Sequence, residues 1–169
     1  MKLKVTGKQP NSRDCFVCGL ENDFGLKSFF YELENGELAA RFFPAEAQQS
    51  YPGRLHGGVS AAILDETIGR AIINRQRSSL WGVTLEFSMK FRKPVPLGKE
   101  VLVRARVTSE NRRTFEGTGE IILADGAVAV EGKGRYLKTS LSNITDDDFE
   151  GDQWQIISKE DDPHEIILP

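Results

Sequence analysis

An α+β fold, with an antiparallel sheet of about six strands packed on one dominant helix, is what this sequence predicts, and three observations predict it. Residues 57–75 form a long helical pattern that is apolar on most sides, with Val59, Ala62, Ile63, Ile68, Ile72 and Ile73 near helical spacing. A helix apolar nearly all round is a buried helix. Both before and after it run segments of alternating character, the form of a half-buried strand. Asn35-Gly36 and Asp125-Gly126 are two-residue hairpin signals between such segments.

The elements follow in order. Residues 1–13 are polar and basic, broken by Pro10 and Asn11, and are expected as a flexible leader. Cys15 and Cys18 form a C-x-x-C. A structural zinc site needs four ligands, and the chain otherwise offers only His56 and His164, unless two copies each contribute a pair. Small buried side chains in a turn is the preferred reading, with no metal. Residues 27–34 and 37–43 read as a hairpin, with Leu38, Ala40 and Phe42 on one face, and Pro44 ends it. A loop over 45–55 leads to the helix, and 76–80 is a short polar link. From Gly82 to Arg92, Val83, Leu85, Phe87, Met89 and Phe91 alternate with Thr84, Glu86, Ser88, Lys90 and Arg92. Residues 101–109, 114–124 and 127–139 complete the strands. The end differs: 140–152 is an acidic linker, and 153–169 returns Trp154, Ile156, Ile157, Ile166, Ile167 and Leu168, more apolar residues than a disordered tail carries. The expected domain is therefore 14–139, with a leader before it and a tail of unassigned role at 140–169.

Composition narrows the function. A chain of 169 residues can bury a real core, and a net charge of −3 leaves no general footprint of nucleic-acid binding. No segment has the length and apolarity of a membrane span, and no early apolar run resembles a signal peptide, so a soluble cytoplasmic protein with no membrane partner is expected.

The chemistry concentrates in QSYPGRLHGG and the helix after it. The first N–H groups of a helix lack internal partners and sit at the positive end of its dipole. Gly57 and Gly58 leave them open to a carbonyl or anion. Asp65 and Glu66 are the only charges between Val59 and Gly69, and a carboxylate on a buried helix needs a partner or a purpose. Eight residues separate Gly57 from Asp65, about 12 Å of rise, too far for both to serve one reacting atom. Two antiparallel copies bring Gly57 of one to Asp65 of the other, so a homodimer with two interfacial sites is predicted.

The run HGGVSAAILDE, preceded by QSYPG and followed by GVTLEFSMKFRKPVPLGKEV, resembles the hotdog-fold acyl-CoA thioesterases, of the phenylacetate-pathway and 4-hydroxybenzoyl-CoA thioesterase-like kind. The resemblance covers roughly residues 14 to 138. It implies the hotdog fold, a curved antiparallel sheet wrapped around one central helix. It also implies hydrolysis of an acyl-CoA to free acid and CoA, with no cofactor besides the coenzyme A of the substrate. Asp65 matches the position of base or nucleophile, Gly57 that of the oxyanion donor, and Thr84 that of a residue orienting water. His56 then supports the loop or the carbonyl. Six residues before His56, where relatives carry Asn or Gln, this chain has Ser50 with Gln49 beside it. Arg92, Lys93 and Arg113, with Lys90 and Arg112, are candidates for the CoA phosphates. Trp81, Phe87 and Phe91 are candidates for the acyl cavity. The resemblance also implies dimers that pair into tetramers. A hydratase acting on enoyl thioesters and a non-catalytic acyl-CoA binding module stay open as alternatives.

Overall fold

The computed structural model describes residues 1–76 and 80–169, with the backbone alone for Asn74, Arg75, Gln76 and Asp152. Its strands are β1 (Lys2–Lys8), β2 (Phe29–Leu33), β3 (Leu38–Phe42), β4 (Leu80–Phe91), β5 (Val101–Glu110), β6 (Thr114–Ile122), β7 (Val128–Ser140) and β8 (Glu165–Ile167). They form one antiparallel sheet in the order β4-β7-β6-β5-β3-β2-β1-β8. Helix α1 (Gly57–Gln76) lies against β3 to β7, so the expected α+β hotdog architecture is present. A short helix, α2 (Phe149–Asp152), lies in the tail. Most of the polar link expected at 76–80 lies outside the described residues.

The helix is buried because its apolar positions have somewhere to go. Ile63, Leu64, Ile68 and Ile72 are fully buried, each contributing roughly 1.5–3 kcal/mol. They sink into the sheet where side chains are missing. A Cβ on Gly117 of β6 would stand 2.6 Å from Ile68 Cγ2, so glycine there sets how closely helix and sheet approach. On the opposite face a second cluster joins Leu3, Phe29, Tyr31, Leu33, Ala39 and Ile122 to Ile166 and Leu168.

That second cluster corrects two expectations. The sheet has eight strands rather than about six, and residues 1–13 are not a loose leader. In β1, Leu3 and Val5 alternate with Lys2 and Lys4, a strand pattern masked by the lysines of its wet face. The tail docks on the body: β8 pairs with β1, Gln155 bridges to Asn11, and Lys8 Nζ binds Asp162 at 2.5 Å. Asp162 also accepts from the Tyr31 hydroxyl at 2.7 Å.

The alternation read in β4 is broken as well. A bulge between Thr84 and Glu86 shifts its register against β7. Phe87 and Met89 pack on the core, whereas Val83 is 38% and Leu85 48% exposed. The single face drawn through all five apolar residues is therefore two half-faces. Bulges re-aim side chains, and this one turns Thr84 toward the helix.

Candidate active site

Asp65 sits in the middle of α1, opposite β4 and β7. The Thr84 hydroxyl donates to its carboxylate, 3.0 Å from Oδ1 and 3.1 Å from Oδ2. The Tyr136 hydroxyl, from β7, donates to Oδ1 at 3.0 Å. Thr84 and Tyr136 are register partners on their strands, so one rung of the sheet presents both donors to one carboxylate. Oδ2 carries the lighter load and is the oxygen free to take a proton. Burial raises the Asp65 pKa above its ordinary value, the two hydrogen bonds oppose that rise, and the charge of Glu66 adds to it. Tyr136 is pushed strongly upward by its own burial and by Asp65, so it acts here as a donor.

Tyr136 was not singled out from the sequence. Its ring stacks on Phe115 at 4.9 Å, and its hydroxyl lies directly over Gly134, where any Cβ would collide with it. The available signal was a tyrosine in a strand rich in glycine, since a buried tyrosine hydroxyl needs a partner.

At the start of α1 the loop disposes of the orphan donors unevenly. His56 O accepts from the N–H groups of Val59 (3.0 Å) and Ser60 (3.1 Å). His56 Nδ1 accepts from Gly58 N–H at 2.9 Å, which places the proton of a neutral ring on Nε2. Gly57 N–H alone has no acceptor among the described residues. The two glycines thus differ: Gly58 is capped and Gly57 is open. The Phe91 ring lies 3.3 Å from where a Gly57 Cβ would stand.

The other expected site residues scatter. Gln49 Oε1 accepts from Gly53 N–H at 2.8 Å, tying its own loop, and Ser50 is exposed beside it. Arg92 is paired with Glu131 at 2.9 Å. Lys93 donates its backbone N–H to Ala129 O, whereas Arg113 O accepts from Lys138 N–H. Nine residues of β7 separate those two anchors, about 30 Å at roughly 3.3 Å each, so one chain does not gather the three cations. Of the proposed cavity residues, Trp81 lines the Asp65 cavity, Phe87 packs on the core, and Phe91 covers Gly57.

The cavity beside Asp65 has a volume of about 230 Å³. Besides Asp65, Thr84 and Tyr136, its walls include Cys15, Cys18, Glu66, Arg70, Trp81, Phe149 and Trp154. Arg70 is only 5% exposed and binds Glu66 Oε1 at 2.7 Å, Cys18 Sγ at 2.9 Å and Pro10 O at 2.8 Å. Glu66 thereby has Arg70 as its partner. The hydrogen bond from Cys18 pulls the Cys15 thiol down to about 6 and pushes Cys18 up. Cys15, Cys18 and Glu66 lie within 4.8 Å of one another, a ligand set for a soft metal. Two of those three ligands, Glu66 Oε1 and Cys18 Sγ, are already engaged by the Arg70 guanidinium.

The sheet around a buried helix, with a hydrogen-bonded carboxylate in the cavity between them, defines a hotdog-fold protein with a half-buried carboxylate at its candidate site. Residues 52–130, which carry Asp65 and Thr84, match the thioesterase superfamily, and the resemblance drawn from the sequence holds. Among solved structures, a thioesterase superfamily protein is 29% identical with a TM-score of 0.67, covering 73% of this chain. The match spans only 63% of that protein's own length. A conserved protein of Pseudomonas aeruginosa is 27% identical over 62% of this chain and 82% of its own, with a TM-score of 0.56. The PaaI protein of the E. coli phenylacetic acid degradation operon shares the fold at 16% identity, over 68% of this chain and 81% of its own, with a TM-score of 0.61. No curated protein matches the sequence. No helix among the described residues is long and apolar enough to cross a membrane.

Proposed function

We propose that this protein is an acyl-CoA thioesterase that works as a homodimer, each site pairing Asp65 of one subunit with Gly57 of the other. The observation that carries the reading is the Asp65 carboxylate, held by Thr84 and Tyr136 in a cavity and raised in pKa by burial. A base of that kind is matched to drawing a proton from water. In the general-base form, Asp65 Oδ2 takes a proton from water as its oxygen adds to the thioester carbon. The carbonyl oxygen becomes an oxyanion and is held by Gly57 N–H. The C–S bond then breaks, and the departing thiolate takes the proton back from Asp65, leaving free acid and CoA. In the nucleophilic form, Asp65 itself attacks, CoA leaves, and water cleaves the resulting anhydride.

Two features support the dimer. Strand β4 is a twelve-residue sheet edge with Val83 and Leu85 exposed, and long apolar edges invite pairing. Within one chain, Asp65 touches β4 at Thr84, and Gly57 touches it at Phe91, toward the other end. Antiparallel pairing of two β4 edges therefore sets Gly57 of one subunit toward Asp65 of the other. The same two-fold brings Arg92 and Lys93 of one subunit toward Arg113 of the other, where CoA phosphates would meet them. Ser50 and Gln49 would face the thioester from the loop. The occupied His56 Nδ1 disfavours a hydratase that needs this nitrogen as a base.

Release of free thiol from a panel of acyl-CoAs tests the reading. Turnover of saturated acyl-CoA supports it. Turnover of enoyl-CoA alone, or tight CoA binding without turnover, rejects it in favour of the hydratase or the binding module.

A further inference from the structure

The tail lies outside the stretch that matches the thioesterase superfamily, yet it builds one wall of the Asp65 cavity. Phe149 and Trp154 come from residues beyond 140, and Trp81 comes from β4. Their rings form a closed triangle, with centroids 5.6 Å apart for Trp81–Phe149, 5.0 Å for Trp81–Trp154 and 5.3 Å for Phe149–Trp154. The triangle is anchored. Arg70 lies between the Trp154 ring (4.4 Å) and the Phe30 ring (4.2 Å). One residue further on, Gln155 is pinned to Asn11 by two backbone hydrogen bonds, 2.8 and 3.0 Å long. A wall fixed this way limits the size of what the cavity admits. The cavity it closes, about 230 Å³, is small beside the roughly 300–1,000 Å³ of a typical small-molecule site.

We infer that the C-terminal segment sets acyl specificity: Trp154 and Phe149, closing on Trp81, shape a short aromatic-walled acyl pocket that takes compact acyl groups. These are arylacyl chains, which stack on the rings, and short straight chains such as hexanoyl. Long-chain acyl groups meet the triangle end-on and are excluded. The inference takes its acyl ligand from the thioesterase reading, but the pocket can be tested without turnover.

The protein supplies its own reporter, because Trp81 and Trp154 are its only two tryptophans. Alkyl-CoA thioethers lack the carbonyl and cannot be hydrolysed. Hexyl-, phenethyl- and hexadecyl-CoA are titrated against the full chain below micellar concentration, with indole fluorescence and calorimetry read together. Hexyl- and phenethyl-CoA are expected to change the fluorescence saturably, and hexadecyl-CoA to bind at least tenfold more weakly, about what one or two misplaced methylenes cost. Phe149→Ala keeps both indoles and should narrow that gap to about threefold or less. Trp154→Phe tests the same wall with a smaller ring and keeps Arg70 stacked. Equal affinity for hexyl- and hexadecyl-CoA, a gap unchanged in both variants, or calorimetric binding that leaves the indoles silent would each overturn the inference. Selective binding without thiol release from the matching thioesters would uphold the pocket and reject the reaction.

Discussion

Replacing Asp65 by asparagine separates chemistry from stability, because the two should move in opposite directions. Asparagine keeps the shape and one carbonyl oxygen, so Thr84 and Tyr136 retain an acceptor at the position of Oδ1. What disappears is the charge and the ability to take a proton. Loss of a general base costs roughly 10²–10⁴ in turnover, equivalent to about 2.7–5.5 kcal/mol of barrier. The stability effect has the other sign. Burial raises the Asp65 pKa on folding, so the native state holds that proton more tightly than the unfolded chain does. Ionised Asp65 therefore costs stability at neutral pH, a cost that vanishes as pH falls through its raised pKa. Asp65→Asn is expected to melt no lower than wild type at pH 7, and the difference between the two should shrink on acidification. Thiol-release kinetics and thermal unfolding over pH 4–8 read both effects. Activity within about tenfold of wild type, or a variant clearly less stable at pH 7, would refute the role given to this carboxylate.

Two further outcomes follow from the same geometry. Tyr136→Phe keeps the stack on Phe115 and removes one donor to Asp65, a hydrogen bond that lowers its pKa. The acid limb of kcat/KM should therefore move to higher pH, and a limb that stays in place or moves down contradicts the assignment. Leu85→Lys puts a charge on the exposed β4 edge, the device that blocks edge pairing. Sedimentation should show monomers and activity should become concentration-dependent, whereas an unaltered dimer with full activity places the interface elsewhere.

Much of this was legible because local pattern and tertiary context agreed. The buried helix declared itself through apolar residues on most sides, and Asp65 through being a carboxylate among them. The hairpins at Asn35-Gly36 and Asp125-Gly126 formed as read, each with its glycine at φ 81°. What was hidden depended on register and on distant partners. The bulge that turns Thr84 toward Asp65 has no signature in an alternating run. Strand β1 was hidden by its lysines, and its first residues pair with β8, about 160 residues away, while its later ones pair with β2. Tyr136 and Arg70 became visible only once β7 and α1 were set face to face. The cations read together as a phosphate site lie at opposite ends of β7, a separation that no spacing along the sequence reveals.

The central claim is that each site is shared between subunits, and complementation between two dead variants tests it most directly. Gly57→Pro deletes the open N–H at the first position of α1, where proline is compatible with a helix. Losing an oxyanion donor costs roughly 10²–10³ in turnover. In a mixed dimer of Gly57→Pro with Asp65→Asn, one site combines both lesions and the other is wild type. Co-refolding equal amounts of the two inactive variants should thus restore about one quarter of wild-type activity, as two-fold symmetry requires. If mixed dimers form and activity stays at the level of the parents, Gly57 and Asp65 act within one chain or not together, and the shared site is wrong.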